Sequence, residues 1–303
     1  MEALNYFRKA YTDIKNESLY LKMGSPTLSA QVENVLALGL RCQKFILPQG
    51  GRIIDNDLDG LPDNINLPFP EILIEYSIKP NGKISPAEKI FTKEGSYGSS
   101  KRIAVAQQLE VNGPIVVFSL AFNDDSKNWE IFPYAQVNLK NVSTNIEINP
   151  VIDKLFKDNN IRQFKVGSYG CYSVPFDEIP KYVPDWQERA CVDLADENRA
   201  VLELVQALSC SNVSTDTIVA RKTNKQAKKS KSDSLPFNDY HVLVIRNNNK
   251  ANSNSEKGCN KSSPREHLRR GHIRTYENGN KVWVQSCIVN PGTTGRIDKD
   301  YKL

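Results

Sequence analysis

Pro114-Ile-Val-Val-Phe-Ser-Leu-Ala-Phe122 runs through Asn123-Asp-Asp-Ser-Lys-Asn128 into Trp129-Glu-Ile-Phe-Pro-Tyr-Ala-Gln-Val-Asn-Leu139, and this stretch decides the fold class. Two β-branched and aromatic runs are joined by a short polar connector, which predicts an antiparallel hairpin rather than a strand-helix-strand crossover. Working outward, Arg102–Leu109 reads as a further strand. So does Glu71-Ile-Leu-Ile-Glu-Tyr-Ser-Ile78, stopped by the turn signal Pro80-Asn81-Gly82. Phe164–Val174, the short Thr217–Ala220 and the apolar Tyr240–Arg246 complete the set of strands. Before them, Leu4, Phe7, Ala10, Tyr11 and Ile14 recur at helical spacing, and Leu28–Leu40 carries a second stripe after Ser25-Pro26-Thr27. A later helix is expected to start after Pro184-Asp185 and run to about Leu208. The pattern is therefore α+β: N-terminal helices, a largely antiparallel sheet and a C-terminal β-hairpin.

The chain has 303 residues, 25% of them charged and 39% hydrophobic, which is enough for a sizeable core and unlike a disordered or repeat protein. The net charge of +5 hides a division. Residues 221–303 hold 18 Lys+Arg against 7 Asp+Glu, a net of +11, and residues 1–220 hold the other 22 against 28, a net of −6. An acidic α+β body (1–220) thus leads into a basic C-terminal region (221–303), whose strand is expected to continue the body sheet. Such a region suits a polyanionic partner. No run of about 18 apolar residues suggests a membrane span, and no secretory leader is evident. The six cysteines are widely spaced and form no CxxC pair, so reduced thiols and a cytoplasmic location are expected.

The basic region contains the most informative segment. His267-Leu-Arg-Arg-Gly-His-Ile-Arg-Thr-Tyr276 is followed by Glu277-Asn278-Gly279-Asn280 and then by Lys281-Val-Trp-Val-Gln-Ser-Cys-Ile-Val289. Asn278-Gly279 at the centre of a type I′ turn would set Arg274 opposite Trp283 and His272 opposite Gln285. Arg270, His272, Arg274, Tyr276 and Trp283 would then share one face, with Ile273, Val282, Val284 and Ile288 on the core side. Guanidinium forks bind phosphates and aromatic rings stack bases, so Arg270, His272, Arg274, Tyr276 and Trp283 are candidate nucleic-acid-binding residues. Arg269 beside them and Lys228 and Lys229 in the lysine-rich stretch 222–231 add phosphate contacts. An arginine opposite a tryptophan is also a sound cross-strand pair in its own right.

Two other functions fit the same residues. His272 could act as general acid or base with Arg270 and Arg274 stabilising a phosphorane, as in a ribonuclease-like enzyme with Glu266 or Tyr276 as the partner group. A basic surface could equally meet an acidic host protein. The partners expected are thus RNA or DNA, or a host protein, with no membrane. No P-loop, GxGxxG, HExxH or GxSxG element points to a cofactor or a known chemistry. Asp55-Asn-Asp-Leu-Asp-Gly60 resembles the start of a calcium loop through Asp55, Asp57 and Asp59, but position 12 is Asn66 and no metal is assigned.

Ser263-Pro-Arg-Glu-His-Leu-Arg-Arg-Gly-His-Ile-Arg274, Val282-Trp-Val284 and Gly295-Arg-Ile-Asp-Lys-Asp-Tyr301 resemble an uncharacterised family of phage and prophage genomes. Leu208-Ser-Cys-Ser-Asn-Val213, Asn224-Lys-Gln-Ala-Lys-Lys229 and Tyr240-His-Val-Leu243 are similar to the same family. The resemblance implies a phage or prophage accessory protein in the host cytoplasm, and carries no catalytic assignment.

Overall fold

The computed structural model describes residues 4–53, 66–78, 99–140, 169–177, 190, 193–219, 235, 238–246, 267–269, 272–284 and 287–289. Two helices, α1 (Tyr6–Gly24) and α2 (Pro26–Arg41), meet at Ser25. The Ser25 hydroxyl accepts the Leu28 N–H and Pro26 occupies the first turn of α2, a strong start signal that the sequence already displayed. Gly39 permits the close approach of the pair. A Cβ there would lie 2.4 Å from the Phe7 ring.

Behind the helices stands one eight-stranded sheet. Its strands are β1 (Gln43–Ile46), β2 (Glu71–Ser77), β3 (Lys101–Gln107), β4 (Ile115–Phe122), β5 (Trp129–Lys140), β6 (Tyr169–Pro175), β7 (Val213–Ile218) and β8 (Tyr240–Ile245), in the order β6-β5-β4-β3-β2-β1-β8-β7. From β2 to β6 the chain is an antiparallel meander. The β4–β5 hairpin closes as its composition predicted: Asn123 N–H donates to the Asn128 carbonyl, and the Asn123 side chain accepts the N–H groups of Asp125 and Ser126. The fold class is α+β. The sheet is nevertheless mixed, because β1 runs parallel to both β2 and β8. Four residues directly after a helix give too short a run for periodicity to reveal, so β1 was not expected. β7 starts at Val213, four residues before the expected Thr217, because its middle is polar and exposed, as suits an edge strand.

Each face of the sheet is covered. Phe7, Ala10, Ile14, Val32 and Leu36 from α1 and α2 pack on Leu73, Ile103, Val105 and Leu120. On the opposite face α3 (Ala195–Leu208) sets Ala200, Val201, Leu204 and Val205 against Phe45, Ile72, Ile74, Ala104 and Val117. Ile72, Ile74 and Tyr76 alternate with Leu73 and Glu75, so β2 serves both cores at once. Each fully buried Val, Leu, Ile or Phe side chain contributes about 1.5–3 kcal/mol of transfer free energy.

Two buried carboxylates, Glu75 on β2 and Glu197 on α3, tie the layers together. Glu75 is fully buried and accepts the N–H groups of Tyr6 (3.0 Å) and Phe7 (2.9 Å), capping α1 in place of the Asn5 side chain. Its Oε1 also accepts the Tyr240 hydroxyl from β8 at 2.8 Å. A carboxylate at a helix N-terminus completes orphan donors and opposes the helix dipole. Across the sheet the Tyr76 hydroxyl and the Arg102 guanidinium donate to Glu197 on α3. Burial pushes both carboxyls up to about 7, with the hydrogen bonds and, for Glu197, nearby Arg102 opposing it. No helix among the described residues is long and apolar enough to cross a membrane.

Candidate nucleic-acid interface

After β8 the chain forms the C-terminal hairpin: β9 (His267–Arg269), β10 (His272–Thr275), β11 (Lys281–Val284) and β12 (Cys287–Val289). Its turn is a three-residue loop. Gly279 N–H donates to the Tyr276 carbonyl at 2.8 Å, and Tyr276 N–H donates to the Asn280 carbonyl at 2.9 Å. Gly279 alone has a positive φ, +78°, while Asn278 does not. This is a type I turn ending in a left-handed glycine, and the type I′ turn expected from Asn-Gly is corrected. Asn278 reaches across the loop to accept the Asn280 N–H at 3.0 Å, which favours this arrangement.

The extra loop residue shifts the register by one. His272 faces Val284, Ile273 faces Trp283, Arg274 faces Val282 and Thr275 faces Lys281. Beyond, Arg269 faces Cys287 and Leu268 faces Ile288, so both stretches keep one register. The expected pairing of Arg274 with Trp283 is therefore corrected, and so is their shared face. Ile273 and Trp283 point one way; His272, Arg274, Val282 and Val284 point the other. Trp283 is 9% exposed and packs with Ala207, Cys210, Val213, Leu243 and Ile245. It is the anchor of the hairpin, and its ring offers no face to a base. The one-residue shift turned Trp283 inward and left Arg274 outward, since only β11 changed faces. Arg274 remains exposed and Tyr276 is 46% exposed at the tip.

The anchor has a polar counterpart that the sequence did not disclose. Asn212, just after α3, donates its side-chain N–H to the Trp283 carbonyl and accepts the Trp283 N–H, both at 2.8 Å. A primary amide carries one donor edge and one acceptor edge, so it pairs with β11 as a strand backbone would. Ser211 N–H adds a bond to the Lys281 carbonyl at 2.9 Å. The only cue was Asn212 between a helix and a strand, where asparagine is ordinarily read as a cap or turn residue. Beside Trp283 lies an apolar cavity of about 190 Å³, lined by Ile46, Pro48, Ile53, Val213, Leu243 and others.

No family model matches the chain, and searches of curated proteins and of solved structures returned no significant match.

Arg270, Lys228 and Lys229 lie outside the described residues, as do Asp55, Asp57 and Asp59 of the calcium-like loop and Glu266. Arg269 is placed by its pairing with Cys287. Nothing in the described geometry makes a second site of the buried ionisable groups. Glu75 and Glu197 stand on opposite faces of the sheet, each engaged at a helix start. The Cys210 thiol is pushed up to about 11 by burial, with Lys281 opposing, which leaves it a packing residue rather than a nucleophile.

Proposed function

We propose that this chain is a nucleic-acid-binding protein of phage or prophage type, acting through the outward face of its C-terminal hairpin. The observation that carries the reading is the division of charge, −6 over residues 1–220 and +11 over residues 221–303. The described hairpin carries His272 and Arg274 on the face turned away from its anchor. A basic segment beside an acidic body attracts phosphates while the body repels them, which orients the protein on its partner. Affinity comes from phosphate neutralisation and the arginine fork, with Trp283 supporting the hairpin from behind rather than stacking on a base.

Binding of short labelled DNA and RNA by fluorescence polarisation across a salt series tests this. The association constant is expected to fall steeply with salt. Arg274→Ala, at an exposed position, weakens binding by about 1–3 kcal/mol. Salt-independent binding, or none to any nucleic acid, rejects the reading.

A further inference from the structure

We infer that the nucleic acid is B-form duplex DNA, with the hairpin entering its major groove as a two-stranded ribbon. This rests on the nucleic-acid reading above and narrows it. Three kinds of partner make three different demands. Single strands are held on platforms of exposed aromatic rings. The hairpin's largest ring, Trp283, is buried in the anchor, and Tyr276 at the tip is its one exposed aromatic side chain among the described residues. Duplex RNA presents a major groove too deep and narrow for side chains to read. The B-form major groove, about 12 Å wide, admits a two-stranded antiparallel ribbon.

The outward face has the chemistry that groove asks for. Arg274 and His272 alternate along β10, and Val282 and Val284 face them directly from β11. An arginine fork matches the O6 and N7 acceptors of guanine, and small branched apolar groups fit the thymine methyl. Groove entry also needs a ribbon held at a fixed angle. The two 2.8 Å bonds from Asn212 to the backbone of Trp283, together with Ser211 on Lys281, supply that from the side the DNA does not touch. Asn212 is thus a positioning residue.

The test uses the full chain with a labelled DNA duplex, each of its strands alone, and the duplex RNA of the same sequence, at one salt concentration. The DNA duplex is expected to bind at least about tenfold more tightly than the others. Equal or tighter binding of a single strand or of duplex RNA overturns the duplex assignment while leaving the broader reading intact; no binding by any probe overturns both. Arg274→Lys keeps the charge and loses the fork, so it should weaken duplex binding several-fold without changing the salt slope. A variant indistinguishable from the parent would make Arg274 a phosphate contact and refute groove reading. Asn212→Ala should abolish the preference for duplex while salt-dependent binding persists, and an unchanged preference would refute the positioning role.

Discussion

The eight-stranded body and the C-terminal hairpin solve the same problem, holding a β-structure in place, with very different means. The body has helices on both faces, two extended apolar cores and a buried carboxylate bonded to each layer. Among the described residues the hairpin has Trp283 and Ile273 in a small cluster, and Asn212 and Ser211 on its edge. The body uses polar groups for its own stability, enclosing Glu75 and Glu197 between its layers. The hairpin keeps Arg274 and the tip from Thr275 to Asn280 exposed. A surface meant for a partner needs that economy of anchoring.

The comparison can be broken, and the largest effect should come from the body. Glu75→Ala leaves two helix N–H groups and the Tyr240 hydroxyl without their acceptor, and a loss of about 3 kcal/mol or more is expected in urea denaturation. A loss below about 1 kcal/mol would mean that Glu75 is not the tie described. The same tie is sensitive to pH. Glu75 and Glu197 are raised from the ordinary 4.5 to about 7, so the folded state holds protons that the unfolded chain releases between those values. Stability should therefore fall as pH rises from about 4.5 to about 7 and level off above. Glu75→Gln and Glu197→Gln together should flatten that slope, and a wild type more stable at pH 8 than at pH 5 would contradict the sign.

The hairpin should respond locally. Trp283→Ala removes the anchor at a cost of about 3 kcal/mol. The loss should appear as fast hydrogen exchange in β10 and β11 while amides of β2 to β4 stay protected; loss of protection throughout would show that the two regions are not separable. Smallest is Gly279→Ala. Its positive φ makes any side chain strained by about 1 kcal/mol, although no atom lies within 4 Å of the added Cβ. A larger cost would point to a turn other than the one described.

How far the sequence disclosed these regions follows from the length of each signal. α1, α2 and the strands of the meander carry long apolar periods, and these survive any local ambiguity. β1 is four residues and could be recognised only by its neighbours. In the hairpin the faces of β10 came out as expected and those of β11 did not, because a single turn residue sets the register and Asn-Gly serves two turn types. The preference for one goes with the pocket that accepts Trp283, which is not a local property. Asn212 was invisible for a related reason: its role depends on a strand some seventy residues later in the chain.

The position of β1 has a consequence for how the protein is made. One edge of β1 is covered by β2, but the other waits for β8, and the third donor to Glu75 is Tyr240, 165 residues downstream. During synthesis from the N-terminus, β1 therefore emerges with one bare edge and Glu75 with one donor missing until the strand at Tyr240 has left the ribosome. Contacts of such long separation form late. Asn212 and β11 come together later still, so the face proposed to meet DNA is assembled only after all eight strands of the body sheet have been made.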